Sequence, residues 1–318
     1  MGFCTFLLMT SAVLNLIKIE SIIKYFLITA LSSILILLSI VFIYIIFGTS
    51  NFDDFIYKGF NKNIYIYILF FILGLLIKIG IVLGNFWLGD VSEGIDIFSF
   101  IVVNTILKLV ILLKIKLIFD EVFVYYTFFF FFVWLGLLCY IIGIFLTLFQ
   151  QKVIRFLSFS SLTHLGLVLT LISIFNSFNL IQLYLVVYFL ILLHFVDCWT
   201  SSIYYNNFIE YIANFSLTSR LQSLMFPILL DIGGFPPYTL FILKFIIIFF
   251  LVFNNYIILS IVLGFLSVIV SYYYLKLIKN NYFLILPRSI SLINTEDKVV
   301  LFYHYAIICY VLFLSIPS

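Results

Sequence analysis

Long apolar runs broken by short polar punctuation set the pattern of this chain. A helix that crosses a bilayer needs roughly 20 apolar residues. Runs of about that length recur near 2–18, 22–47, 63–87, 96–118, 123–149, 154–175, 179–203, 226–253, 256–278 and 299–315. They predict about ten spanning helices. Polar residues gather in the connectors: "GTSNFDD" at 48–54, "GDVSEG" at 89–94, "NNFIEYIANFSLTSR" at 206–220 and "PRSISLINTEDK" at 287–298. The third reads as a lateral amphipathic or loop segment. Because the apolar runs are long and do not alternate, they predict helices rather than a β-barrel. The fold class is an all-α polytopic membrane protein, and no stretch fits a soluble domain.

Two spans carry residues that a continuous helix tolerates badly. In "LLIKIGIVLGNFWLGDVSEG", residues 75–94, Lys78 lies in an apolar run with Gly80 and Gly84 close behind. In "LLDIGGFPPYTLFILKFIIIFF", residues 229–250, Gly233, Gly234, Pro236 and Pro237 interrupt the run before Lys244. Proline removes a backbone donor and clashes with the preceding turn. Interrupted spans at two separated points are the sequence pointer to a transport path in a repeat-built membrane protein.

Composition fixes the solvent and narrows the chemistry. Of 318 residues, 66% are hydrophobic and 9% charged, against about 25% charged in soluble domains. The chain cannot cover itself with polar surface. A net charge of +3 lacks the basic stripe that nucleic acid asks for. Cys4, Cys139, Cys198 and Cys309 are far apart, which supports neither a zinc site nor a disulfide framework. The first 20 residues have no basic n-region and no clear cleavage site. They read as a membrane helix rather than a signal or transit peptide. The heavy use of Phe (41) and Tyr (22) fits an AT-rich coding sequence, as in an organelle genome.

Against this background a few polar residues stand deep. Lys78 lies about 15 residues into its span, roughly 22 Å at 1.5 Å per residue. Lys108, in "NTILKLVILL", lies about 12 residues into the next, and Lys244 has about nine apolar residues after it, so snorkelling to the headgroups is limited. A lysine at the bilayer centre costs about 2.5–3.5 kcal/mol. Burial disfavours the ammonium form, which poises such a group to gain and lose a proton as neighbouring charges move. A membrane lysine can equally pair with a carboxylate or line an inert cavity. His164 titrates near neutrality by nature, although a buried histidine is often only a hydrogen-bonded core residue. His194 and Asp197, three apart, can share a helix face; they and His304 carry less information. Lys24, Arg155, Lys276 and Lys279 lie near span ends and read as interface or topology anchors. There is no phosphate-binding loop, dinucleotide fingerprint, haem ligand pair or Fe–S cysteine set. The sequence therefore predicts no metal and no cofactor in this chain, and leaves protons or cations as cargo.

Several blocks together resemble the antiporter-like membrane subunits of respiratory complex I, in their chain 2 form. "LIKIGIVLGNFWLGDVSEG" resembles K-[LI]-G-x-x-P-F-H-x-W-x-P-[DE]-V-x-x-G, and "ESIIKYFLITALSS" at 20–33 resembles E-A-x-x-K-Y-F-L. "RFLSFSSLTHLG" at 155–166 resembles R-L-L-A-Y-S-S-I-x-H-x-G. "GGFPPYTLFILK" at 233–244 resembles G-G-L-P-P-x-x-G-F-x-x-K, and "SYYYLKLIK" at 271–279 resembles Y-Y-L-R-L-I-K. The blocks keep the family order and cover about residues 20–280. Leu83, Gly84 and Asn85 stand where the family has P-F-H; proline is missing at Gly89 and Leu243, and glycine at Leu240.

The resemblance implies fourteen helices in two inverted five-helix repeats, with the seventh and twelfth helices broken. Lys78 and Lys244 would lie on the broken helices, and Lys108 on the eighth, linking two half-channels. With His164 they form the implied proton relay. The ten spans match family helices five to fourteen, with no counterpart for the first four. On this reading, residues 1–150 hold the remainder of the first repeat, 151–280 the second, and 281–318 a loop and C-terminal helix. The fifth-helix glutamate that pairs with the Lys78 position would fall near Cys4, so it is replaced here, aligned elsewhere in the chain, or supplied by another chain; Glu20 matches a different, peripheral glutamate. The implied role is proton translocation in the membrane arm, coupled to electron transfer from NADH to ubiquinone. NADH, FMN, Fe–S clusters and ubiquinone would sit in other parts of the complex. Implied partners are the other membrane-arm subunits, a chain replacing the first helices, and membrane lipids, in the mitochondrial inner membrane. Two alternatives stand beside it: a stand-alone cation/proton antiporter of the same fold, and a structural subunit that has lost pumping.

Overall fold

A computed structural model describes residues 16–48, 62–81, 85–122, 126–150, 152–174, 178–205 and 219–282. These residues are almost entirely helical. In chain order they form α1 (Leu16–Phe47), α2 (Lys62–Ile79), α3 (Asn85–Gly94), α4 (Ile97–Ile101), α5 (Leu107–Val122), α6 (Tyr126–Leu148), α7 (Val153–Ile174), α8 (Phe178–Tyr205), α9 (Ser219–Gly233), α10 (Thr239–Phe253) and α11 (Ile257–Tyr282). Among the described residues six helices are long and apolar enough to cross a membrane, and Ile66–Ile79 and Thr239–Phe253 are shorter apolar helices. The outer faces of α1 and α11 expose large aliphatic and aromatic side chains, such as Leu37, Ile45, Ile258 and Phe265. Exposed apolar surface on that scale suits acyl chains, not water.

Three sequence expectations need correction. The hydropathy pattern divides the first two spans between residues 18 and 22, but α1 is already helical at Leu16 and runs unbroken to Phe47. Ser21, at that expected boundary, donates its hydroxyl to the Lys18 carbonyl at 2.7 Å, so a polar residue is absorbed within the helix. "GDVSEG" is no connector: α3 carries it as helix, with Ser92 donating to the Gly89 carbonyl at 2.8 Å. The span 96–118 is not uniform either. Between α4 and α5, Val102–Ile106 forms a π-helical turn. The lateral segment at 206–220 falls largely outside the described residues, as do Cys4, His304 and the last span.

The chain divides into two compact units, residues 1–150 with 154–181, and residues 151–153 with 182–318. In the first, α1 packs along α2 and α3, and α2 meets α5. Tyr25 sets its ring edge-on to Trp87 at 5.9 Å between centroids, and Phe42 stacks on Tyr67 at 4.8 Å. The most buried span is α7, although it carries Ser158, Ser160, Ser161, Thr163, His164 and Thr170, all buried. Helices α6 and α7 approach so closely that a Cβ on Gly166 would lie 2.5 Å from the Tyr140 amide nitrogen. In the second unit α9, α10 and α11 pack on one another.

Candidate functional site

At the first interruption α2 stops one residue after Lys78. Gly80 takes φ +86°. Its N–H donates to the Ile77 carbonyl at 3.0 Å, and the Ile81 N–H donates to the Leu76 carbonyl at 3.0 Å. This pair of bonds is a Schellman end, which calls for a left-handed residue just past the helix. A Cβ at Gly80 would also come within 2.7 Å of Leu88 Cδ1. Lys78 thus stands in the last turn, where unpaired carbonyls favour a cation. It is half-buried. Among the described residues it has no hydrogen-bond or ion-pair partner, and the charge it feels is that of Lys114 on α5.

Lys108 is placed by the π turn. The Leu107 N–H donates to the Val102 carbonyl, five residues back, and Thr105 donates its hydroxyl to the Ile101 carbonyl. Lys108 itself is buried, 4% exposed. Its ammonium donates to Asn104 Oδ1 at 2.8 Å and to Ser161 Oγ on α7 at 2.7 Å. Ser161 in turn donates to the Ser158 carbonyl at 2.6 Å. Hydrogen bonds to a charged group contribute about 1.5–3 kcal/mol each. Two of them therefore match or exceed the roughly 2.5–3.5 kcal/mol insertion cost of the lysine. Both acceptors are neutral, so among the described residues the ammonium is solvated without a fixed counter-ion. His164, 3% exposed, follows Ser161 by three residues on α7, close to the same face of the helix.

The second interruption repeats the first in a separate unit. Helix α9 ends at Gly233, and Gly234 takes φ +72°. The Gly234 N–H donates to the Asp231 carbonyl at 2.8 Å, and the Phe235 N–H donates to the Leu230 carbonyl at 3.1 Å. Past a cis Pro236–Pro237 peptide, α10 begins at Thr239. Asp231 is 1% exposed. Its carboxylate accepts the Thr239 hydroxyl at 2.9 Å and the Leu240 N–H at 3.0 Å. An acid from one half-helix thereby caps the N-terminus of the next, where the helix dipole favours an anion. Lys244, 6% exposed, points back along α10, as helical side chains do. A Cβ on Gly234 would meet its Nζ at 2.9 Å and its Cδ at 3.3 Å. That Nζ has no hydrogen-bond partner among the described residues, and Asp231 is the carboxylate within its electrostatic reach.

Lys24 and Arg155, read from sequence as anchors, join an ion-pair cluster in the first unit. Asp90 on α3 accepts from Lys24 at 2.8 Å and from Arg155 at 3.0 Å. Arg155 also pairs with Glu93 at 2.5 Å, Lys24 with Glu20 at 2.7 Å, and Lys18 with Asp96. These groups are largely half-exposed, and water screens such pairs so that each contributes little. Their arrangement ties α1, α3 and α7 together more than it stores energy.

Of the four relay candidates, Lys78, Lys108 and His164 fall in the first unit and Lys244 in the second. Sequence reasoning did not single out Asp231. Yet the rule applied to the lysines, an ionisable residue inside an apolar run, selects it equally. It also missed Lys116, 1% exposed, and the neutral pair Asn104 and Ser161, whose types carry no signal until the fold joins α5 to α7.

A family model described as "NADH:quinone oxidoreductase/Mrp antiporter, TM" matches residues 1–270. NADH-ubiquinone oxidoreductase chain 2 of Strongylocentrotus purpuratus is 30% identical over 220 residues, 69% of this chain and 60% of that protein. The chain spans about 60% of the length of the curated relatives it matches first. The fold resembles a chain of the archaeal membrane-bound sulfane sulfur reductase at TM-score 0.81 and 18% identity, covering 99% of this chain and 66% of that one. It also resembles a chain of Thermus thermophilus respiratory complex I at TM-score 0.74 and 17% identity, covering 95% and 69%.

Proposed function

Because this chain belongs to the NADH:quinone oxidoreductase/Mrp antiporter transmembrane family, we propose that it is a proton-translocating membrane-arm subunit of respiratory complex I. It serves there as part of an H+-translocating NADH:ubiquinone reductase, in the mitochondrial inner membrane and beside other membrane-arm subunits and lipid. The chain 2 name of its relatives and its own sequence blocks support this choice within the family. The redox chemistry, with NADH, FMN, Fe–S clusters and ubiquinone, belongs to other subunits; this chain carries no cofactor and no metal of its own.

The observation that carries the reading is Lys108, a buried ammonium held by Asn104 and Ser161, both neutral. A lysine locked to a carboxylate resists deprotonation. One held by neutral oxygens responds to any charge that arrives nearby. A unit charge at about 6 Å acts with roughly 3 kcal/mol at an effective dielectric of 20, comparable with the ~2.3 kcal/mol needed to move one charge against 100 mV. In this mechanism Lys78, at the carbonyl end of a broken helix, holds a proton and passes it towards Lys108. His164 extends the path along α7. Lys244, at the other broken helix, exchanges protons with one aqueous side. The test is Lys108→Met or Lys78→Met in the assembled complex, with protons moved per NADH oxidised measured in sealed vesicles. A lower ratio is expected; a ratio equal to the wild type overturns the relay.

Two other readings each have an observation behind them. The family description includes Mrp antiporters, so a stand-alone cation/proton antiporter is the rival in transport. Migration of the native protein as an isolated transporter, free of NADH-oxidising subunits, favours it. No acid pairs with Lys78 among the described residues, which favours a structural subunit that fills the membrane arm without pumping. An unchanged proton-to-electron ratio in both lysine variants favours that one.

A further inference from the structure

We propose that Asp231 is a positioning residue for Lys244: its carboxylate is the built-in counter-charge of the second helix break. This rests on the relay reading of Lys244 given above. Three observations converge. Asp231 is almost wholly buried, at the end of α9, so its charge is not spent on water. It accepts from Thr239 and from the Leu240 N–H, which fixes the carboxylate at the mouth of α10. Lys244 starts inside α10, folds back over Gly234 and brings its Nζ, with no hydrogen-bond partner among the described residues, to the same break.

Helix capping alone does not explain the choice of residue. The bonds to Thr239 and Leu240 ask for an acceptor oxygen, and an asparagine or serine supplies one. Aspartate adds a full negative charge at membrane depth, which is costly unless a cation uses it. Lys244 is a cation that feels this charge. It lies in the half of α10 whose dipole disfavours a positive charge. An acid at Asp231 offsets that dipole and draws the Lys244 ammonium into the gap between the half-helices.

The experiment compares D231N, D231A, K244M and D231N/K244M in the assembled complex. It records protons moved per NADH oxidised and the midpoint temperature of heat dissociation. Asparagine keeps the acceptor for the Leu240 N–H and removes only the charge. The proposal expects D231N to behave like D231A: a lower proton-to-electron ratio and a lower midpoint. It also expects the second change in D231N/K244M to restore the midpoint, since no uncompensated ammonium is left. A D231N that matches the wild type in both readouts makes Asp231 a cap only and overturns the proposal, as do D231N and K244M midpoint losses that simply add. If K244M pumps at the wild-type ratio, the relay role of Lys244 fails on its own. The midpoint coupling still decides whether Asp231 and Lys244 are a pair.

Discussion

Replacing Gly234 with alanine separates backbone strain from loss of lysine placement, because the same fold carries a control. Gly234 and Gly48 have nearly the same backbone, φ +72° and φ +71°. Alanine in the left-handed region costs roughly 1–2 kcal/mol at either position, about a 5- to 30-fold shift in a folding equilibrium. At Gly48 nothing among the described residues lies within 4 Å of the added Cβ, so that cost is the expected effect. At Gly234 the Cβ lands 2.9 Å from Lys244 Nζ, where carbon contacts settle near 3.5–4.0 Å. The ammonium must retreat by roughly half an ångström or more. The tip of a lysine is flexible, so the retreat adds little to the strain, yet it moves the group on which transfer depends. Misplacement of about 1 Å at a reacting group can cost ~10²-fold in rate. G48A and G234A should therefore lower the heat-dissociation midpoint of the complex by similar amounts, while G234A alone lowers NADH-driven acidification of vesicles. Equal pumping by the two variants would falsify the placement of Lys244 at the break.

The central lysine and the ion-pair cluster give further tests. Ser161→Ala removes one of the two acceptors of the Lys108 ammonium, about 1.5–3 kcal/mol of its solvation, and should slow proton uptake while NADH oxidation by artificial acceptors stays normal; an unchanged pumping rate refutes it. Gly80→Ala adds a Cβ 2.7 Å from Leu88 Cδ1, a buried side chain, so it should destabilise assembly more than G48A, as read on native gels. Asp90→Asn removes the counter-charge shared by Lys24 and Arg155. Because solvent screens these groups, the loss should be small, seen as a slight drop in heat resistance without a change in proton-to-electron ratio.

Long-range hydrophobicity was the legible part of this fold. Runs of 20 or more apolar residues leave helices as the sole way to satisfy backbone polar groups in lipid, and the described helices lie where the runs are. Both breaks were legible too, since Gly80 and Gly234 sit at positions only glycine fills readily. The start of α1 was not, because Lys18 and Glu20 read as the end of a span until their partners Asp96 and Lys24 are seen. "GDVSEG" read as a loop for the same reason. Its acids are drawn to Arg155 and Lys24, which are distant in sequence, and a helix tolerates them once they are paired. The π turn before Lys108 had no signal, because a single extra residue in a helix leaves the hydropathy pattern intact. Asp231 was visible as a residue but not as a partner. Its role depends on the chain folding back at Gly234, which sequence spacing does not report.

The two breaks share a Schellman end but place their lysines on opposite sides of it, and this has an energetic consequence. Lys78 lies in the last turn before its break, among carbonyls that favour a cation, so the helix end offsets part of its cost without an acid. Lys244 lies beyond its break, on the half-helix that begins with N–H groups, where the same dipole opposes it. Asp231 has the reverse preference and is held by that N-terminus whether or not the lysine is present. The pair is therefore asymmetric. K244M leaves a carboxylate still bound by the Thr239 hydroxyl and the Leu240 N–H. D231N leaves a buried ammonium facing the helix dipole with no compensating charge from Asp231, the costlier of the two losses. D231N should lower the heat-dissociation midpoint clearly more than K244M does. If the order is reversed, the helix dipole does not set the terms at the second break, and Lys244 is held there by packing against Gly234 alone.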